Sequence, residues 1–205
     1  MNTVLRRVSL LYGAGAALVF IAYAWVDVPV ARNFRFNLGA FENAAHGLGS
    51  AVLVTGELIV VVMLAIVRLF RGHLSDFNRS VVVAALTSVC AYAANDTVFK
   101  LFFGVPSPHQ FLLEGAGHAF HLLEGTRDSS FPSGHMTLAV SFCVVMMQLQ
   151  RSTAWVLLPL LTIAAAALIV GDWHFVSDVL AGALFGWLAG FLAAELYRAH
   201  YSHHP

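Results

Sequence analysis

The chain has 205 residues, of which 59% are hydrophobic and only 11% charged, with eleven basic side chains against eleven acidic ones and a mean hydropathy of +0.77. A soluble domain carries roughly a quarter charged residues, so this composition excludes an ordinary soluble fold and indicates a membrane protein. Zero net charge gives a nucleic-acid partner no electrostatic support. Cys90 and Cys143 both lie inside apolar runs and provide no disulfide or metal framework.

Six apolar segments follow one another, each near the roughly 20 residues that cross a bilayer. The first covers about residues 9–26, behind Arg6 and Arg7. Ala22-Tyr23-Ala24 loosely resembles a signal-peptidase site, so a cleaved signal is the alternative to a first span. Residues 27–49 read as a mixed loop holding Arg32, Arg35, Glu42 and His46. The second span covers about residues 50–67 and carries Glu57 in mid-span, where a carboxylate needs a polar partner or a proton. The third covers about residues 80–103, with Asn95, Asp96 and Lys100 near its end.

A long loop over residues 104–134, rich in Gly, Pro and His, leads into a fourth span over 135–150. Arg151 and Ser152 make a tight turn into the fifth, about 153–170, which contains Pro159. The sixth, about 177–196, carries Gly182, Gly186 and Gly190 at four-residue spacing. Such a stripe of small residues lets another helix approach closely, and packing inside the bundle is favoured over a dimer contact. The expected fold is therefore all-α: a single polytopic membrane domain over residues 1–205, with six transmembrane helices in a bundle.

Lys and Arg set the orientation. One side collects Arg6, Arg7, Arg68, Arg71, Arg79, Arg151 and Arg198; the other collects Arg32, Arg35, Lys100 and Arg127. This puts both termini in the cytoplasm and turns the 104–134 loop outward, toward the periplasm of a bacterial inner membrane. The unusual polar residues then gather at one membrane face. Lys100 ends the third span, His135 opens the fourth, and Asp172, His174 and Asp178 lie between the fifth and sixth. Ionisable groups at membrane depth are costly and mark function by default. Snorkelling at the interface accounts for Lys100 alone, but poorly for the whole cluster.

Ser129-Ser130-Phe131-Pro132-Ser133-Gly134-His135 stands where a polar loop meets an apolar helix, and the N–H groups of a helix start favour an anion. His174 and Asp178 are four residues apart, which puts them on one face at a helix start. The carboxylate can then fix the imidazole tautomer and leave the other nitrogen as a nucleophile. His135, from another helix, can protonate a leaving group.

This arrangement resembles the type 2 phosphatidic acid phosphatase superfamily, to which vanadium haloperoxidases also belong. Its pattern is Lys, six residues, Arg-Pro; then Pro-Ser-Gly-His; then Ser-Arg, five residues, His, three residues, Asp. Here Lys100 is followed after six residues by Ser107-Pro108, Pro132-Ser133-Gly134-His135 is intact, and Ala167-Leu168 precedes His174 and Asp178. The resemblance implies that His174 forms a phosphohistidine, oriented by Asp178, with His135 as general acid. It implies that Lys100, Ser133 and the Gly134 amide hold the phosphate oxygens, and that no metal or other cofactor is needed.

Both family arginines are absent, with Ser107, a remaining substrate-binding candidate, and Leu168 in their places. Losing one preorganised donor costs roughly 10²–10³ in rate, and neither serine nor leucine replaces a guanidinium fork. Arg127, eight residues before His135, is the compensating candidate, set against an exposed loop arginine paired with Asp128 or Glu124. His118, His121, Glu114 and Glu124 read as solvated loop residues in preference to a lining of the substrate entrance or a metal site. Asn95 and Asp96 are placed to orient Lys100, and Asp172 to tune the site or touch a headgroup.

The leading functional expectation is a membrane hydrolase acting on a lipid phosphate or prenyl diphosphate at the outer leaflet. A phosphotransferase using a hydroxyl acceptor, and a non-catalytic lipid-binding or transport relative, are the alternatives. A haloperoxidase is disfavoured by the short membrane-embedded chain and the missing cationic ligands.

Overall fold

The computed structural model describes the backbone of residues 3–33 and 40–202, and the side chains of Arg6 and of residues 8–33 and 52–200. Among these residues all regular structure is helical. The chain runs through α1 (Thr3–Ile21), α2 (Asp27–Asn33), α3 (Ala40–Arg71), α4 (Asp76–Ala94), α5 (Lys100–Phe103), α6 (Pro108–Leu113), α7 (Gly134–Leu149), α8 (Ala154–Val170) and α9 (Val176–Ser202). In a bilayer each backbone group must be satisfied within its own segment, and helices built from these apolar runs do that.

Among the described residues five stretches are long and apolar enough to span a membrane: Val8–Asn33, Val52–Arg71, Asp76–Leu113, Arg151–Val170 and Val176–His200. The fourth expected span is shorter than that, a 16-residue apolar helix, Gly134–Leu149. At 1.5 Å per residue this is about 24 Å, below the roughly 30 Å of a hydrocarbon core. Burial explains the difference. Helix α7 is the centre of the bundle, with Met136, Val140, Val144, Val145 and Met146 all buried against neighbouring helices. A helix wrapped by protein has no lipid thickness to match. Helix α8 is the opposite case, burying only Leu168 and turning Trp155, Val156, Leu158 and Ile163 outward.

The expected loop over 27–49 is largely helical. Helix α2 continues the first helix as far as Asn33, and α3 begins at Ala40; Arg35 lies outside the described residues. Hydropathy ends an apolar run at Asp27, but hydrogen bonding does not, because Asp27 N–H donates to Ala22 O across a π turn over Ala22–Val26. The third helix does the same: Lys100 N–H donates to Asn95 O across a π turn over Asn95–Phe99 that joins α4 to α5. One extra residue per turn rotates everything downstream, and such bulges recur at functional sites.

The glycine stripe faces inward. A Cβ at Gly182 would lie 2.4 Å from Ser133 O, one at Gly186 2.6 Å from Thr137 O, and one at Gly190 2.7 Å from Ser141 O. Glycine is required where two backbones come this close. The contact sets α9 along α7, helped by Thr137 Oγ1 donating to Gly182 O at 3.3 Å. It therefore brings the starts of both helices together. Glu57, whose partner the sequence leaves open, accepts from Ser88 Oγ on α4.

Candidate active site

The start of α7 is built by Ser133, which is fully buried and caps the helix by accepting from Met136 N–H at 3.3 Å. Two tethers hold this stretch. Ser133 N–H donates to Asp178 O on α9 at 3.0 Å, and Asn95 Nδ2, from the π turn, donates to Pro132 O at 3.0 Å. A Cβ at Gly134 would lie 3.0 Å from the Tyr92 ring, so the position is small because α4 presses on it. Its N–H belongs to the first turn, where no intrahelical acceptor exists.

His174 precedes α9 and is almost entirely buried. Its Nδ1 lies 3.6 Å from Asp178 Oδ2, and the same oxygen accepts from Phe175 N–H at 2.8 Å. The histidine–carboxylate contact is longer than a hydrogen bond, as is common in catalytic pairs without substrate. The His135 ring centroid stands 5.8 Å from that of His174 and 5.9 Å from that of Trp173. Thus the two histidines and Asp178, separated by up to 43 positions in sequence, meet between the starts of α7 and α9. Asp172 is buried with φ +57° and lies with His174 and Asp27 around a narrow crevice too tight to admit a water molecule.

The cationic residues form a separate rim. Lys100 is buried, with Nζ 3.5 Å from Asp96 Oδ1 and donating to Arg127 O at 2.9 Å. Arg127 Nε lies 3.7 Å from Asp96 Oδ2, and its side chain is 73% exposed. Asp96 thus receives both cations. Arg127 pairs with Asp96, and neither with Asp128 nor with Glu124. Asn95 serves the Pro132 carbonyl, so Asp96 alone of the two expected orienting residues reaches Lys100.

The two positions of the missing arginines are occupied differently. Ser107 caps α6 in a reciprocal box with Gln110: its hydroxyl accepts from Gln110 N–H at 3.3 Å, and its own N–H donates to Gln110 Oε1 at 2.9 Å. Leu168 is buried in the core with Met136, Val140 and Val179, and its carbonyl accepts the N–H groups of Trp173 and His174, each at 3.2 Å. Apolar packing replaces the guanidinium there, while the backbone still shapes the turn that presents His174.

His121, Glu114 and Glu124 are exposed as expected. His118 is not. Its Nε2 lies 3.3 Å from Asp27 Oδ2, with only a tenth of its side chain exposed. Asp27 is the first residue of the expected 27–49 loop, and nothing in the local pattern marks it.

Fold and site together define a helical membrane protein with a two-histidine, one-carboxylate centre at one end of its bundle. The chain belongs to the PAP2 superfamily, whose family model matches residues 79–202. It is also similar to the undecaprenyl-diphosphatase BcrC of Bacillus subtilis (strain 168), with 25% identity over 158 residues, covering 73% of this chain and 78% of the relative. No solved structure matches the chain.

Proposed function

We propose that the protein is a membrane lipid phosphatase that hydrolyses a prenyl diphosphate or related lipid phosphate through a phosphohistidine on His174. The observation that carries this reading is the meeting of His174, Asp178 and His135 at the starts of two adjacent helices. Membership of the PAP2 superfamily and the likeness to a relative named as an undecaprenyl-diphosphatase support it.

In this reading Nδ1 of His174 carries its proton toward Asp178, and Nε2 attacks phosphorus. The bond from phosphorus to the leaving oxygen breaks, and His135 supplies that oxygen with a proton. Water then attacks the phosphohistidine, giving its proton to His135, and His174 is released with free phosphate. Phosphoryl transfer rests mainly on positioning and on neutralising the equatorial oxygens. The Gly134 N–H, the Ser133 hydroxyl hydrogen and Lys100 fill that role, with Arg127 adding charge from the rim. Ser107 acts as the cap that fixes α6 rather than as a phosphate ligand.

The substrate's tail lies in lipid while its phosphate meets the polar edge. We place six helices across a bacterial inner membrane, with α7 as the short central one, both termini cytoplasmic and the site facing the periplasm. The test is a panel of prenyl diphosphates and diacyl lipid phosphates given to the purified protein, with and without chelator. Phosphate release that survives chelation and disappears in His174→Ala is expected. Headgroup transfer to a hydroxyl acceptor, or lipid binding without turnover, would overturn the hydrolase reading.

A further inference from the structure

The first helix carries a buried carboxylate that the chemistry above does not use. Asp27 is 1% exposed and follows the π turn of the first helix. It reaches across 150 positions to the first turn of α9, where Oδ1 accepts from Ser177 N–H at 2.9 Å and Oδ2 accepts from Ser177 Oγ. Ser177 lies between Phe175, whose N–H binds Asp178 Oδ2, and Asp178 itself. The same Asp27 oxygen stands 3.3 Å from His118 Nε2 in the outer loop. That imidazole stacks on Tyr23 at 4.4 Å and meets the Phe175 ring edge-on at 4.5 Å, while Tyr23 OH donates to His118 O at 3.2 Å.

Burying a carboxylate is costly unless it is fully hydrogen-bonded. The cost is offset here by two hydrogen bonds from Ser177, with the His118 imidazole close beside the same carboxylate. A helix start leaves its N–H groups unsatisfied, and a carboxylate there also complements the helix dipole. Two carboxylates thus divide the first turn of α9. Asp178 takes Phe175 N–H and faces His174; Asp27 takes Ser177. If Asp27 were absent, Ser177 would lose the acceptor that anchors the turn carrying both Phe175 N–H and Asp178, and the His174–Asp178 spacing would lose that support.

We propose that Asp27 is a positioning residue for the His174–Asp178 pair: it caps α9 through Ser177 and pins the outer loop through His118, so that the first helix forms part of the catalytic machinery. Asp27 lies outside the residues 79–202 that carry the family match. The proposal needs Tyr23 and Asp27 in the working protein, so cleavage after Ala24 would destroy the clamp. Its kinetic consequence rests on the hydrolase reading; its structural consequence does not.

The experiment compares full-length wild type with Asp27→Ala, Asp27→Asn and Ser177→Ala in nanodiscs. Three readouts are taken: kcat and KM on a short prenyl diphosphate, amide exchange across residues 175–178, and ¹⁵N shifts of the His174 ring. Misplacing a reacting group by about 1 Å costs roughly 10²-fold, so Asp27→Ala is expected to lower kcat by about that factor with KM little changed. Loss of the cap should speed Ser177 amide exchange about tenfold, and the His174 Nδ1 shift should move. Asp27→Asn keeps the Ser177 N–H bond and should restore most of kcat and of the protection. Ser177→Ala removes only the hydroxyl bond and should cost a few-fold in kcat.

Wild-type kcat in Asp27→Ala, or unchanged Ser177 exchange with an unmoved His174 shift, would overturn the proposal. So would equal loss in the Asn and Ala variants. If Asp27→Ala does not fold, the graded order of Asp27→Asn and Ser177→Ala decides instead: both variants matching wild type in exchange and shift would overturn it. If the wild type hydrolyses no lipid phosphate, the hydrolase reading fails while exchange and shifts still judge the clamp.

Discussion

The two halves of the site are held in opposite ways. His135, His174 and Asp178 sit where two helix backbones touch through Gly182, Gly186 and Gly190, and their surroundings are fixed by buried bonds such as Ser133 N–H to Asp178 O and Asn95 Nδ2 to Pro132 O. Lys100, Asp96 and Arg127 form a rim whose pairs are 3.5 and 3.7 Å long and whose outer member is mostly exposed. Exposed ion pairs contribute at most about 1 kcal/mol, so Arg127 is free to exchange Asp96 for a more strongly charged partner. In the proposed reading the groups that form and break bonds are preorganised, Lys100 is held in place beside Asp96, and the exposed Arg127 is left adjustable. The missing arginines fit this division. The place of one is closed by core packing at Leu168 and that of the other by a helix cap at Ser107, so cation strength shifts to the rim.

The comparison should break most severely at His174, the proposed nucleophile. His174→Ala should lower phosphate release by roughly 10⁴-fold or more, and should abolish acid-labile phosphate labelling of the protein. His135→Ala should cost roughly 10²–10⁴-fold on a lipid substrate. The loss should be smaller on an aryl phosphate, whose leaving group needs no proton; an equal loss on both would deny His135 the acid role. On the rim, Lys100→Ala should cost roughly 10²–10³-fold, mainly in kcat, since it removes a charged donor from the transferring group.

A change remote from the chemistry tests the helix contact itself. Gly186→Val would drive a Cβ to 2.6 Å from Thr137 O and 3.0 Å from Ser141 N. It should lower thermal stability by an amount equivalent to about 1–3 kcal/mol and activity by roughly 10²-fold through misalignment, read by thermal unfolding in detergent alongside kcat. Arg127→Ala should have the smallest effect, a loss of about three- to tenfold at low salt that shrinks as ionic strength rises. Full activity in that variant would remove Arg127 from the phosphate contacts and leave Lys100 as the cation of the rim.

Much of this was legible without coordinates, because composition, apolar run length and the positions of Lys100, His135, His174 and Asp178 are local properties. A run of apolar residues must be helical in lipid, and a glycine every four residues must face a neighbour. The chemistry-bearing residues also fall at the ends of those runs, where a helix start collects anions. That is why the membrane class, the family and the two-histidine motif could be read in chain order. The loop assignment for residues 27–49 failed for an equally physical reason: hydropathy falls at Asp27, but the backbone carries on through a π turn that hydropathy does not register.

What only the tertiary structure decided concerns residues whose partners are distant in sequence. Asp27 looks like the polar end of a first span and becomes a cap on α9; His118 looks solvated and lies between Tyr23 and Phe175; Asn95 and Asp96 are neighbours that serve different halves of the site. Arg127 lies near His135 in sequence but pairs with a carboxylate in the π turn between α4 and α5. The sequence by itself determined which segments are helices and which side chains are chemically able, because both depend on residue type and short spacing. Which of those side chains meet was set by the two π turns and the glycine contact. These fix helix rotation and depth, and neither rotation nor depth is encoded in any short stretch of chain.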